Sequence, residues 1–345
     1  MLGTVKRLTS IQHLRATAVM GVAVFHAFQW RGAEFNVGRA GVDLFFVISG
    51  VIMWRVTAGR EGRPATFLWA RLTRVAPLYW LTTLVMAAVA ILWPAFLPNI
   101  HPALGHLLLS LVFAPHLDPR GLPFPLLPPG WTLNYEAVFY LVFAGALFAP
   151  RRYQAWIVTA ALFLVVAAGL ILDDPVYILG ANPLLWEFAA GVAVAILVEA
   201  GAGPDARSSW VLIGLGFAGL VVPAALGLFS ELGRPFIWGT PAAVIVFGAL
   251  TLERAGATPA WPALARLGDA SYAIYLTHLP AQAIIAHSLG WSNPWLFIPA
   301  ALAASLGAGL ACHRWLETPL IAFARSTRLR AAEASPSLRP DSRST

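Results

Sequence analysis

The chain has 345 residues, of which 59% are hydrophobic and only 11% charged, and its mean hydropathy is +0.72. Soluble domains carry about 25% charged and about 45–50% apolar residues, so a soluble enzyme, a secreted disulfide scaffold and a disordered polymer are excluded together. The formal charge of +7 rests almost wholly on arginine set in short clusters between apolar runs. That is the pattern of a multi-pass membrane protein whose basic loops fix its orientation, and not of a nucleic-acid surface. The single cysteine, Cys312, rules out an intramolecular disulfide and a cysteine-based metal cluster. The basic start, Lys6-Arg7, runs into a first span without a small-residue cleavage site, so no cleavable signal peptide is expected.

A helical crossing needs about 20 apolar residues. In chain order, runs of that kind lie near 12–30, 38–55, 76–96, 131–149, 154–172, 183–199, 210–229, 236–252, 270–289 and 294–312. The run 104–114 is shorter and suits a re-entrant or interfacial helix. Charge decides between the two counts. With ten crossings and a cytoplasmic N-terminus, eighteen basic residues fall inside and four outside (Arg31, Arg39, Arg120 and Arg234), with Arg15 within the first span. Counting 104–114 as a crossing reverses that asymmetry, against the positive-inside rule. Trp30, Trp93, Trp131 and Trp291 then fall at outer span ends, where indole rings favour the interface. The predicted fold is all-α: a polytopic bundle of about ten transmembrane helices with both termini cytoplasmic and one domain over 1–325. A disordered Arg-, Ser- and Pro-rich cytoplasmic tail is expected over 326–345.

Ionisable groups inside spans are costly and mark function by default. Arg15 and His26 are eleven residues apart, about three turns, so they share one helix face about 16 Å apart. Their bland reading is a snorkelling arginine and a packing histidine. Asp43 opens the second span at the depth of His26, placed either to orient its imidazole or to favour the helix N-terminus. Arg71 and Arg74 share a face at the inner edge, as a bidentate phosphate clamp or as anchors to anionic lipid. Asn134 and Glu136 place a second polar cluster at the outer leaflet. Ser271, Tyr275 and His278 recur at i, i+4 and i+7, lining a cofactor tunnel or forming an interhelical hydrogen-bond seam. His101, His106, His116 and Asp118 are too irregularly spaced for a strong metal site and read as surface groups. HExxH, GxSxG, Walker and GxGxxG motifs are absent.

Five blocks stand in order: Gln12-His13-Leu14-Arg15-Ala16 with His26; Gly41-Val42-Asp43-Leu44-Phe45-Phe46-Val47-Ile48-Ser49-Gly50; Arg71-Leu72-Thr73-Arg74 with Pro77-Leu78-Tyr79-Trp80; Gly130-Trp131-Thr132-Leu133-Asn134-Tyr135-Glu136; and Leu267-Gly268-Asp269-Ala270-Ser271-Tyr272 with Tyr275-Leu276-Thr277-His278. Each block is weak alone, but the ordered set resembles the acyltransferase type 3 family of bacterial membrane proteins, most of all its exopolysaccharide acetyltransferase branch. The chain departs from that family at Gln12-His13, where an acidic residue is common, and no soluble esterase-like domain follows the last span.

The resemblance implies a multi-pass O-acyltransferase of the bacterial inner membrane. Such an enzyme moves an acyl group, usually acetyl, from acyl-coenzyme A as co-substrate to a carbohydrate or lipid-linked glycan hydroxyl, with no permanently bound cofactor. It also implies that His26 is the catalytic histidine, that Arg15, Arg71 and Arg74 attend the donor, and that Asp43 and Glu136 are acidic residues near the outer end of the site. Tyr79, Ser271, Tyr275 and His278 are expected to complete the donor site, and Trp131 and Asn134 to meet the acceptor. No metal and no nucleic acid are expected. The competing readings are a proton-coupled transporter or flippase of acyl groups or lipid-linked sugars, using His26, Asp43 and Glu136 as its path, and a scaffold subunit of a polysaccharide assembly complex.

Overall fold

The computed structural model describes residues 8–59, 61–172, 182–228, 230, 232–289 and 293–324. Among the described residues twelve α-helices follow one another without a strand. They are α1 (Thr9–Gln29), α2 (Ala40–Val56), α3 (Pro64–Leu92), α4 (Leu104–Leu111), α5 (Trp131–Ala146) and α6 (Arg151–Leu172), then α7 (Leu185–Glu199), α8 (Ala206–Ala225), α9 (Thr240–Arg254), α10 (Pro262–Asp269), α11 (Ser271–Leu289) and α12 (Pro294–Cys312). A helix forms on every apolar run read from the sequence. The run 104–114 holds α4, which at eight residues is only about 12 Å long. The expected tail over 326–345, and Trp291, lie outside the described residues.

Among the described residues six segments are long and apolar enough to cross a membrane: Asn36–Val56, Pro64–Leu92, Arg151–Ile171, Ala206–Ala225, Pro235–Arg254 and Pro294–Ala324. The other long runs are α1, α5, α7 and α11. Two of these are short, at 16 residues for α5 and 15 for α7. The other two are broken by polar side chains, His13, Arg15 and His26 in α1 and Ser271, His278 and Gln282 in α11. These four helices carry most of the polar groups described below, and their neighbours rather than lipid cover them.

Helix α2 lies at the centre, with thirteen of its residues buried. Small residues let its neighbours come close. A Cβ on Gly41 would stand 2.3 Å from the Ala18 carbonyl of α1, and one on Gly50 would stand 2.1 Å from the Phe188 carbonyl of α7. From the other side, a Cβ on Gly191 would meet the Val47 carbonyl at 2.0 Å. Backbones so close gain dispersion and weak polar contact where lipid offers no hydrophobic drive. By contrast α6 and α8 turn large apolar residues outward, among them Trp156, Ile171, Val211 and Leu215.

Polar ties fix the rotation of the inner helices. The first turn of α1 has unsatisfied N–H groups, and Glu253 at the end of α9 accepts from Thr9 N at 2.8 Å and Ser10 N at 2.9 Å. The Gln282 side chain of α11 donates to the Ala23 carbonyl of α1 at 2.9 Å, and the Tyr272 hydroxyl donates to the Val75 carbonyl of α3 at 2.7 Å. Arg15 and His26 therefore face inward.

Gly191→Ala is expected to destabilise the protein by about 1–3 kcal/mol through overpacking, read as a lower thermal midpoint in detergent. Gly145→Ala, where a Cβ meets nothing within 4 Å, is expected to leave the midpoint unchanged or slightly raised.

Candidate active site

A cavity of about 350 Å³ lies between α1, α2, α3, α5 and α11. Arg15 enters it from α1, and Arg71 and Arg74 enter from α3, where i, i+3 spacing sets them on one face. The single carboxylate in its lining is Glu136 of α5, which accepts from Ser49 Oγ at 3.1 Å and from the Tyr140 hydroxyl. Within the lining alone, three guanidinium groups against one carboxylate leave a formal excess of two positive charges, part of which Glu317 and Asp269 offset at Arg15 from outside it. In low dielectric such an excess attracts anions strongly, and arginine forks match phosphate oxygens bidentately. Ser271 and Tyr275 also reach this wall, while Ile48, Ile52, Met53 and Leu133 make the rest apolar.

A second cavity, about 1030 Å³, holds His26 with Gln29, Trp30, Glu34, Arg39, Arg120, Trp131 and Arg234 in its lining. His26 Nδ1 lies 3.1 Å from Gln29 Oε1. An amide oxygen only accepts, so Nδ1 carries the hydrogen and Nε2 keeps the lone pair of a base. The aromatic walls and mixed charges suit a polar, hydroxyl-bearing ligand. Tyr275 and Val42 line both cavities, so the partition between them is one side chain thick. Thr132 Oγ donates to the Tyr275 hydroxyl at 3.1 Å and Phe45 stands edge-on to its ring at 5.9 Å, which holds Tyr275 in that partition.

The structure changes two expectations about the acidic residues. Asp43 does not orient His26. It forms a buried, bidentate ion pair with Arg234, Nη2 to Oδ2 at 2.8 Å and Nε to Oδ1 at 3.1 Å, and a planar guanidinium fork matches both carboxylate oxygens as an imidazole cannot. Glu187 of α7 is buried beside that pair. Nor does Glu136 form a polar cluster with Asn134 near the outer end; the rotation of α5 turns it into the arginine cavity. Trp131 does line the His26 cavity, whereas Asn134 is buried outside both linings. Tyr79 also stands outside both, stacked on Phe113 at 5.0 Å and pressed against Gly130. His278 is fully buried, with its ring 5.1 Å from that of His26.

Sequence reading passed over Gln29, Ser49, Tyr140 and Arg234. Tyr140 was within reach of it, four residues after Glu136 on the same helix face. Arg234 carried only a weak signal, a charge directly before Pro235 and an apolar run.

The segment 97–130 roofs the His26 cavity through Asn99, Arg120, Leu122 and Phe124. Within it His106 Nδ1 lies 2.8 Å from His116 Nε2, and His116 Nδ1 donates to the Ala114 carbonyl at 2.8 Å. Burial, with His116 alongside, lowers the His106 pKa from its ordinary value. Burial alone would raise that of Asp118, but the Leu122 N–H and the Arg120 side chain and N–H outweigh it and lower it.

Residues 8–314 match a family model described as an acyltransferase domain. The chain is similar to the exopolysaccharide production protein ExoZ of Rhizobium meliloti, 38% identical over 318 residues that make up 90% of this chain and 98% of that protein. It is similar also to the putative membrane-bound transacylase BcsY of Komagataeibacter xylinus, at 29% identity over 79% of this chain and 72% of that one. With the peptidoglycan O-acetyltransferase OatA of Listeria monocytogenes it shares 26% identity over 91% of its own length and 56% of the relative's. No solved structure matches the chain.

The roof is expected to loosen in acid. A histidine whose folded pKa is lowered takes up its proton more readily in the open state, so stability present above about pH 6.5 falls as the pH drops below it. The lowered Asp118 works in the same direction, its contribution being lost only at lower pH. Hydrogen-exchange protection of peptides from 97–130 should therefore be lower at pH 5 than at pH 7.5, and His106→Gln should reduce that difference.

Proposed function

We propose that this chain, which belongs to the acyltransferase type 3 family of membrane enzymes, moves an acetyl group from acetyl-coenzyme A to a hydroxyl of an exported or cell-surface carbohydrate. The observation that carries this reading is the convergence of Arg15, Arg71 and Arg74 on one small cavity with a single carboxylate. Coenzyme A is a polyphosphate anion with a long, nearly neutral arm. Its phosphates suit the arginine cavity, and its arm suits the apolar walls that lead toward Tyr275 and the His26 cavity. Ten crossings with both termini cytoplasmic set the arginines on the side of the inner membrane where coenzyme A is found. His26 then lies nearer the opposite face, with the larger cavity around it for the acceptor. The exopolysaccharide relative supports a polysaccharide acceptor.

The chemistry follows from the groups present. A sugar hydroxyl is a weak nucleophile, and His26 Nε2 takes its proton as the oxygen attacks the thioester carbonyl. The C–O bond forms, the C–S bond breaks, and the proton held at His26 passes to the departing sulfur. Glu136, held by Ser49 and Tyr140, spaces the arginines and limits their mutual repulsion.

His26→Ala is expected to lower transfer by about 10²–10⁴-fold with normal amounts of protein in the membrane, measured with labelled acetyl-coenzyme A; full activity would contradict the assignment. Arg74→Ala is expected to raise the KM for acetyl-coenzyme A about tenfold, the worth of one charge-assisted hydrogen bond, with kcat nearly unchanged. An unchanged KM would return Arg74 to a role in topology alone.

A further inference from the structure

A thioester that enters from the arginine cavity and a hydroxyl held in the His26 cavity can meet only where the two cavities adjoin. Among the described residues, Val42 and Tyr275 alone line both. Val42 is apolar, so the Tyr275 hydroxyl is the side-chain polar group that the two linings share. Tyr275 is buried, and Phe45 stands edge-on to its ring at 5.9 Å. The His278 ring packs beside both this tyrosine and His26, at 5.8 and 5.1 Å between centroids, so the phenol and the base border one volume.

The hydrogen bonds around that hydroxyl leave it a hydrogen to give. Thr132 Oγ carries one hydrogen and has two acceptors in reach, the Pro129 carbonyl at 3.2 Å and the Tyr275 oxygen at 3.1 Å. A carbonyl only accepts, so while Thr132 serves Pro129 the phenol can give its own hydrogen to Thr132 Oγ. When Thr132 turns to Tyr275 instead, the phenolic hydrogen is released for a further acceptor. A hydroxyl rotates to suit its partners, so the change moves neither helix. Thr132 lines the arginine cavity and Pro129 the His26 cavity, which keeps this rotor at the partition.

Attack on a thioester moves the π pair of its carbonyl onto oxygen, and a donor already aimed there is worth far more in a dry site than in water. His26 cannot supply that donor, because its Nδ1 hydrogen is committed to Gln29 and its Nε2 takes the sugar proton. Resting on the donor and base roles given above, we propose that the Tyr275 hydroxyl donates to the thioester oxygen during transfer, while Thr132 Oγ donates in turn to Tyr275. The sugar oxygen bonds to the carbonyl carbon as His26 Nε2 takes its proton, and the oxyanion forms against Tyr275. The C=O bond is then restored as the C–S bond breaks, and the sulfur receives the proton from His26. Tyr275 keeps its own proton throughout. It is a catalytic residue, since it touches the reacting atoms, and Thr132 is a positioning residue that acts through it.

The test uses the full chain, in permeabilised vesicles with the polysaccharide of its own cells for rates and purified in detergent for spectra. The probe is acetyl-coenzyme A, isotope-labelled at the carbonyl for the spectra. Tyr275→Phe is expected to lower kcat about 10²–10³-fold, as the loss of one oxyanion donor does, with the KM for acetyl-coenzyme A within about twofold. Thr132→Val is expected to lower kcat about tenfold, and Thr132→Ser, which keeps the hydroxyl, to recover most of it. The spectra use His26→Ala as a common background and no acceptor, so that no transfer takes place. There the infrared carbonyl band of bound acetyl-coenzyme A should lie at lower wavenumber with Tyr275 than with Tyr275→Phe, because a donated hydrogen bond weakens the C=O bond.

The proposal is overturned if Tyr275→Phe keeps its kcat. It is equally overturned if kcat falls while the carbonyl band stays in place, which marks packing only. Should Tyr275→Phe be missing from the membrane, Thr132→Val decides through the band: a move to higher wavenumber supports the scheme and an unmoved band rejects it. Failure of the underlying readings looks different. Full activity of His26→Ala removes the base reading and leaves Tyr275 to be judged by its own kcat and band. No bound band in the His26→Ala protein removes the donor reading and this inference with it. An inactive His26→Ala beside a fully active Tyr275→Phe removes only the present inference.

Discussion

A charge placed inside an apolar bundle has to find a partner there, and the arrangement of this protein follows from how each of its inner charges does so. The largest commitment is between Asp43 at the start of α2 and Arg234 ahead of α9, a fork of two hydrogen bonds with both side chains almost completely buried. Removing one member of such a pair leaves the other uncompensated, at a cost of about 3–5 kcal/mol. The pair therefore pins α2 against the chain leading into α9. Glu253 performs the same service at the start of α1, and Glu136 among the arginines.

With those charges settled, the layout of the rest is constrained. Helices that carry polar groups take the interior, and α6 and α8 face outward with large apolar side chains. Arg15 and His26 lie on one face of α1, so the helix runs from one cavity to the other. Tyr275 stands in the partition between the two. Beyond that partition stands an imidazole whose tautomer is set by Gln29. Separate compartments for an anionic donor and a polar acceptor suit an enzyme whose two substrates approach from different sides.

Much of this was legible in the residues. The apolar runs predict the positions of the long helices because a crossing length of apolar residues leaves little else for a chain to do. The short length of 104–114 predicts α4. Spacing within one helix predicts that Arg71 and Arg74 share a face and that Arg15 and His26 do. Pairings between helices were not legible. Asp43 and Arg234 are 191 positions apart, and periodicity says which residues share a face but not which neighbour that face meets. The same limit explains Glu136, which reads from the sequence as an outer-leaflet group beside Asn134 and stands instead among the arginines, because its rotation on α5 depends on packing. Gln29 was overlooked because a polar residue at a helix end reads as an interfacial group, and only the position of His26 gives it a task.

In the function proposed above, one continuous path joins an anion-binding cavity at Arg15, Arg71 and Arg74 to the imidazole of His26. The most direct measurement is an experimental structure of the protein with a non-reactive thioether analogue of acetyl-coenzyme A. Phosphate oxygens are expected against the three arginines, with the arm passing Tyr275 and the acyl carbon beside His26 Nε2. Phosphates seated in the His26 cavity, or an acyl group that ends on the arginine side of Tyr275 with no route past it, would rule out such a path.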